Sequence, residues 1–384
     1  MEEARLKLAR RFDRQQAFAA GYSPLYAQLF GAVAKWLSAE GAESDPLASW
    51  LLDVAKDRST LDVTLLLAAG LHRDVLAADS QAAELAGYYP TAGGDLSPEE
   101  AGFEEVLRAA IMARSDTLVR TIRNGKVQTN ETGRGLCWLL PSILLGWPEI
   151  HLVDLGASAG LNLLADLRSY HLVDAGGESG DTTIGHGEKT QFITRCRDQT
   201  DLIDRLRDGR LPVVESRTGC DASPFVLKTK DDELSLMSFI WGDQSDRMDR
   251  LCEGIEAFRV AQESSAPVRV YPCNLPSKLG FFLESLLPND SSIPVVIYNT
   301  YITAYLPDNG KKISAEIDRW ASQQGRPVLW LQWEPTRDGR NPPMEGWIAW
   351  TADRWRAGNR QWRHLGWVHP HGDEALFDGE WFFD

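Results

Sequence analysis

The stretch that most constrains this chain is Val153-Asp154-Leu155-Gly156-Ala157-Ser158-Ala159-Gly160-Leu161-Asn162-Leu163. An apolar run, His151–Leu155, ends at Gly156, and a second one, Leu161–Leu167, begins straight after Gly160. That pattern predicts a strand turning sharply into a helix. Gly156 lets the chain turn, and Gly160 lets the next segment pack close to the strand or to a ligand.

The same alternation continues downstream. Apolar runs at Leu211–Val214, Val268–Cys273, Pro294–Asn299 and Val328–Trp333 are separated by helix-like stretches at Asp246–Val260, Leu279–Leu287 and Lys311–Gln323. Strands alternating with helices predict a mainly parallel sheet covered on both faces. Trp347–Thr351 and Trp362–Val368 have only a short polar link between them and read as an antiparallel hairpin at the sheet's edge.

Before residue 147 the pattern is helical. Arg10–Ala20, a helix begun by Ser23-Pro24 with Leu25, Leu29, Val33, Trp36 and Leu37 on one face, Leu61–Leu71 and Ala101–Arg123 all read as helices. The 384 residues suit two domains. The reading is an α-helical N-terminal domain over 1–146 and a Rossmann-like α/β domain over 147–384. The segment 169–210 is rich in Gly, Asp and Arg and reads as an insertion.

A net charge of −15 repels polyanions, so nucleic acid is not an expected partner. The longest uncharged apolar run, Leu136–Trp147, is too short to span a bilayer and contains Pro141. No signal-peptide core follows the charged start. No membrane association and a cytoplasmic location are therefore expected. Five cysteines without a Cys-x-x-Cys pair read as reduced thiols. His369-Pro370-His371 lacks a third ligand nearby, so no metal is expected.

Asp154 stands at the carboxyl end of its strand, where open α/β sheets bind ligands. A carboxylate there repels a pyrophosphate but suits an ammonium or a sulfonium. S-adenosylmethionine carries both, and it is the expected cofactor. Asp154, Gly156, Ala157, Ser158, Gly160 and Asn162 are its candidate contacts. Ser158 replaces the middle glycine of a three-glycine loop, which counts against a dinucleotide.

The same residues spell Gly-x-Ser-x-Gly, the nucleophile elbow of α/β-hydrolases. Ser158, an acid such as Asp338 or Asp353, and His369 or His371 occur in the required order. Against a serine hydrolase stand the helical residues before 147, the missing His-Gly-Gly-Gly loop and the charge of Asp154 beside a developing oxyanion. A third reading is a non-catalytic Rossmann-like binding or scaffold protein.

Gln128-Thr129-Asn130-Glu131-Thr132-Gly133-Arg134, the Gly156–Leu163 motif, Gly219-Cys220-Asp221-Ala222-Ser223-Pro224 and Phe239-Ile240-Trp241-Gly242-Asp243-Gln244 occur in that order. With these motifs the chain resembles the bacterial domain of unknown function 2332 family, from about Phe12 to His371. The resemblance implies a core like that of class I S-adenosylmethionine-dependent methyltransferases, and no particular reaction.

The acid expected at the ribose hydroxyls is Asp221, whose Gly-x-Asp-x-Ser-Pro setting looks like the end of a methyltransferase second strand. Asp174 is its rival, at ~20 residues beyond the loop. Asn274 follows the next strand, at a position that often contacts adenine. Asn299, in Tyr298-Asn299-Thr300-Tyr301, is the candidate catalytic residue for orienting the acceptor. Gln128, Asn130, Glu131 and Arg134 are candidate contacts for a small-molecule substrate entering between the helical half and the sheet; equally, Glu131 and Arg134 read as an ion pair at a helix start. The function expected is methyl transfer to a small substrate, and Gly156→Val is expected to abolish cofactor binding without unfolding the chain. The tryptophans crowded after residue 319 read as core packing.

Overall fold

The computed structural model describes residues 2–128, 131–176, 180–187, 190–198, 201–286, 292–306, 308–336 and 339–383. The helices in chain order are α1 (Glu2–Ala19), α2 (Pro24–Ser38), α3 (Pro46–Val54), α4 (Thr60–Leu76), α5 (Ala83–Ala86), α6 (Phe103–Ala113) and α7 (Ser115–Asn124). After them come α8 (Leu136–Leu145), α9 (Leu202–Asp208), α10 (Lys230–Met237), α11 (Ser245–Gln262), α12 (Leu279–Leu286) and α13 (Lys311–Ala321). No helix among the described residues is long and apolar enough to cross a membrane. The chain forms two compact units, one of residues 1–130 with 227–251, the other of 131–226 with 252–384.

The first unit is helical. Ser23 caps α2 by accepting from the Tyr26 N–H, and Pro24 occupies the first turn. Leu25, Leu29, Val33 and Leu37 are buried along one face, as their spacing predicts. The stretch 101–123 is two helices, not one. They part at Arg114, whose guanidinium is drawn to Asp74 by two bonds and to Asp79 by a third contact.

Segment 227–251 belongs to this helical unit, although it lies far along the sequence. The Trp241 ring is sandwiched between Tyr22, at 5.0 Å, and Tyr26, at 4.6 Å. Asp243 accepts from the Ser23 hydroxyl and the Leu25 N–H, and the Thr91 N–H donates to the Gly242 carbonyl. A side chain at Gly242 would strike the Tyr89 ring, 2.1 Å from where its Cβ would lie. This segment therefore completes the helical core.

The second unit is a mixed α/β structure around a mostly parallel sheet. Its strands are β1 (Glu149–Leu155), β2 (Ser169–Asp174), β3 (Thr182–Ile184), β4 (Thr190–Asp198), β5 (Val213–Asp221), β6 (Val268–Pro272) and β7 (Val295–Thr300). β8 (Val328–Glu334), β9 (Ile348–Arg356), β10 (Asn359–Val368) and β11 (Glu374–Phe377) follow. The order across the sheet is β3-β2-β4-β11-β10-β9-β8-β7-β1-β5-β6. β6, β5, β1, β7 and β8 are parallel neighbours, so the order reverses between β1 and β7.

One expectation needs correction here. β9 and β10 are an antiparallel pair, but they lie inside the sheet, not at its edge. The outer side of β10 pairs with β11, and β11 with β4. The strands that continue the sheet come from 169–210, an insertion between β1 and β5 that is itself folded. It contributes β2, β3, β4 and α9, because the open edge of β11 supplies partners for strands too polar to read as such.

Alternate residues along the strands face opposite layers. Leu152, Tyr298, Leu331 and Trp333 pack with Trp138 and Leu139 of α8. Val153, Ile297 and Trp330 pack with Phe282 of α12 and Ile317 of α13. Trp330 and Trp333 thus lie on opposite faces.

Within the helical unit, His72 is fully buried between the Thr91 hydroxyl and the Ser238 carbonyl. Burial holds its imidazole down, at about 4 against an ordinary 6.5. Between those pH values the unfolded chain takes up a proton that the folded one refuses. Stability is therefore lost as pH falls through this window, by roughly 3 kcal/mol at most. Urea midpoints for wild type and His72→Gln should converge as pH falls from 7 to 4.5. A gap that stays constant with pH would contradict the role assigned to His72.

Candidate functional site

The loop after β1 is built by three left-handed residues, Gly156 (φ +89°), Ser158 (φ +50°) and Gly160 (φ +81°). Four of its backbone donors are bonded inside the protein. The Gly156 and Ala157 N–H groups donate to the Cys220 carbonyl at 2.7 and 2.9 Å, and the Gly160 N–H to the Ala157 carbonyl at 2.7 Å. The Ser158 N–H donates to Asp221 Oδ2 at 3.0 Å. A loop bonded in this way is a poor phosphate cradle.

The segment after the loop differs from the expected helix. Leu161–Leu167 is a 3₁₀ segment kinked at Leu164. Its carbonyls are claimed by side chains: Trp138 donates to the Asn162 carbonyl at 2.8 Å, and Arg217 to the Leu163 carbonyl. Arg217 also forms a buried two-bond ion pair with Asp166, at 2.7 and 2.6 Å. These remote donors anchor the segment at both carbonyls.

Asp154 is buried on the face covered by α8. Its Oδ2 accepts from the Tyr298 hydroxyl at 2.7 Å. Burial pushes its carboxyl up to about 7; the Tyr298 bond opposes this, and the neighbouring Asp221 charge reinforces it. Arg134 also acts on this carboxylate through its charge, in the opposite direction to burial. Its guanidinium lies 5.5 Å from the centre of the Tyr301 ring, and its Nε donates to the Pro370 carbonyl at 3.0 Å. Glu131 is 3.1 Å from His371 Nδ1, and its carbonyl accepts from Asn162 Nδ2 at 3.1 Å. Glu131, Arg134 and Asn162 are therefore brought together beside the glycine loop.

The most heavily bonded carboxylate at the strand ends is Glu334. It is buried and accepts from Asn299 Nδ2 (2.7 Å), the Ile302 N–H (2.9 Å), the Thr303 N–H (3.2 Å) and the Thr303 hydroxyl. Asn299 is fully buried, and its amide oxygen accepts from Trp330 Nε1 at 2.7 Å. One end of that amide donates to Glu334 and the other accepts from Trp330, so both ends are committed inside the protein. The same clamp seats Ile302 over the loop: a Cβ on Gly156 would lie 2.3 Å from Ile302 Cγ2. The sequence reading missed Glu334, Tyr298 and Ile302. Glu334 had a signal, since it ends a parallel strand at the ligand-binding edge.

Other candidates lie elsewhere. Asp221 reaches the loop, whereas Asp174 ends β2 and accepts from Gly176 in a turn, several strands from β1. Asn274 is exposed beyond β6, where its carbonyl accepts from Ser277 and Lys278. Gln128 is half-buried in the helical unit. Asn130 and Asp338 lie outside the described residues. Asp353 bonds Arg360 at 2.8 Å, and His369 bonds Asp373 at 2.5 Å. Cys220 and Cys273 are buried free thiols.

Residues 9–375 match the model of a family described as an uncharacterized protein conserved in bacteria, DUF2332. The chain belongs to this family. No curated protein and no solved structure matches it. For this DUF2332 chain, the geometry above is the ground for functional argument.

Gly156→Val is now expected to destabilise the fold itself, because the new side chain meets Ile302 and a valine at φ +89° is strained. Asp154 is a cleaner probe. From about pH 4 to 7 the folded chain keeps a proton on Asp154 that the unfolded chain has lost, so stability falls as pH rises through this range. The total is on the order of 4 kcal/mol. Asp154→Asn should therefore melt above wild type at pH 7.5, with the gap closing towards pH 4. A gap of the opposite sign would contradict the burial assigned to Asp154.

Proposed function

We propose that this protein binds S-adenosylmethionine at the carboxyl ends of β1 and β5 and transfers its methyl group to a small substrate. The observation carrying the reading is the bond between the Ser158 N–H and Asp221 Oδ2. It puts a carboxylate from the neighbouring strand against the glycine loop, next to the reversal in strand order. Doubly wound sheets bind nucleosides there, and such an acid meets ribose hydroxyls.

Parallel strands in the order β6-β5-β1-β7-β8 match the 3-2-1-4-5 part of a Rossmann sheet. The internally bonded loop donors favour a ligand without phosphate over a dinucleotide. Bound there, the cofactor would supply an electrophilic methyl group. Asp221 would hold the ribose, and Asn274 would border the base. Glu131 and Arg134 would contact the acceptor. Asp154, buried next to the loop, would respond to the ligand's positive charge by releasing its proton.

A second reading has an observation of its own. Ile302 fills the space in front of Gly156, as expected of a scaffold whose pocket has closed.

Calorimetry with S-adenosylhomocysteine and S-adenosylmethionine separates the two. Binding should weaken at least tenfold in Asp221→Asn, about 1.4 kcal/mol, within the range of a hydrogen bond to a charged group. For S-adenosylmethionine at pH 6.5, the heat should vary with the ionisation enthalpy of the buffer, and that dependence should vanish in Asp154→Asn. Absence of binding by either compound at millimolar concentration would sink the cofactor reading and favour the scaffold.

A further inference from the structure

The motif Phe239–Gln244 has no part in the site described above, yet it builds a pocket within the helical unit. We propose that this pocket binds a small organic ammonium ion, with the Asp243 carboxylate and the rings of Tyr22 and Tyr88 as its recognition elements. A cavity of about 360 Å³ is lined by these residues together with Pro24, Pro90 and Glu99. Its volume lies in the range of small-molecule sites.

The chemistry of the wall selects the charge. The lining includes two carboxylates, Asp243 and Glu99, and no basic side chain. The donors to Asp243 are neutral: the Ser23 hydroxyl at 2.7 and 2.8 Å and the Leu25 N–H at 3.1 Å. One hydroxyl proton serves both oxygens, so lone pairs remain on a carboxylate with about four acceptor sites. Asp243 also lines a neighbouring cavity with Arg247 and Arg250; Arg247 donates to Gln244 Oε1 at 2.7 Å and acts on the Tyr22 hydroxyl, but it is not part of the pocket wall.

Aromatic faces and a carboxylate around an apolar cavity are what an alkylated ammonium needs. The ring quadrupole and the anion both attract the charge, while proline and tyrosine carbons cover the alkyl groups. An anion would be repelled, and a neutral apolar ligand would strip water from Asp243 without replacing it. The site is also pre-organised. The sandwich of Tyr22, Trp241 and Tyr26 fixes the ring, and the cap on α2 fixes the carboxylate. The overall charge of −15 adds a favourable field for a cation.

The test uses the full chain and three probes followed by calorimetry: choline, its uncharged isostere 3,3-dimethylbutan-1-ol, and N-acetyl-lysine amide. Choline or the lysine derivative should bind at least tenfold more tightly than the neutral alcohol. Choline marks a free small molecule as the ligand, and the lysine derivative marks a protein side chain. Binding should weaken with added salt and fall about fivefold or more in Tyr22→Leu. Asp243→Asn should abolish it, with melting curves run alongside because Asp243 caps α2. Glu99→Gln leaves that cap intact and should weaken the charged probe alone. Binding of neither cation more tightly than the alcohol, or no binding of either cation at millimolar concentration, overturns the proposal.

Discussion

The candidate site depends on one buried carboxylate. Glu334, at the end of β8, gathers the Asn299 amide, two backbone N–H groups and the Thr303 hydroxyl. A buried charge is tolerated only when hydrogen bonds replace the water it has lost, and these four donors do so. In meeting that demand they fix the turn after β7. The turn in turn puts Ile302 over Gly156 and holds Tyr301, in a left-handed conformation at φ +62°, beneath Arg134. The shape of the surface in front of the glycine loop is thus set by a residue on a different strand.

The glycine loop obeys a related constraint. The Gly156, Ala157 and Ser158 N–H groups donate to the end of β5, and the carbonyls beyond the loop accept from Trp138 and Arg217. The loop is thereby tied to β5, and most of its N–H groups are already committed. What remains for recognition is side-chain charge, namely Asp221 at the loop, Asp154 behind it and Arg134 beside it. Asp154 carries the electrostatic strain of this arrangement, because burial works against its ionisation while a cation nearby would relieve it.

The helical unit solves its own problem with distant sequence. Ser23 and Asp243 are 220 positions apart, yet their bond completes the start of α2. Trp241 supplies the aromatic layer between Tyr22 and Tyr26 that the first 130 residues lack. Splitting the core in this way couples the two stretches of chain in folding, and it leaves the Asp243 carboxylate facing a cavity.

The sequence by itself determined the local features. These are the alternation of apolar runs and helical stretches after residue 147, the glycine turn after β1, the Ser23-Pro24 cap, the opposed faces of Trp330 and Trp333, and Asp221 as the acid next to the loop. Each follows from period, backbone freedom or motif over a few residues. Only the tertiary structure decided the rest. The polar stretch 169–210 becomes strands because β11 offers an open edge. Leu161–Leu167 is a kinked 3₁₀ segment whose carbonyls accept from the remote side chains Trp138 and Arg217. The Asn299 amide is taken up inside the protein because Glu334 accepts from one end of it and Trp330 donates to the other. In each case the deciding partner is remote in sequence, and a hydrogen bond or strand edge supplied from there carries no trace in the residues on either side.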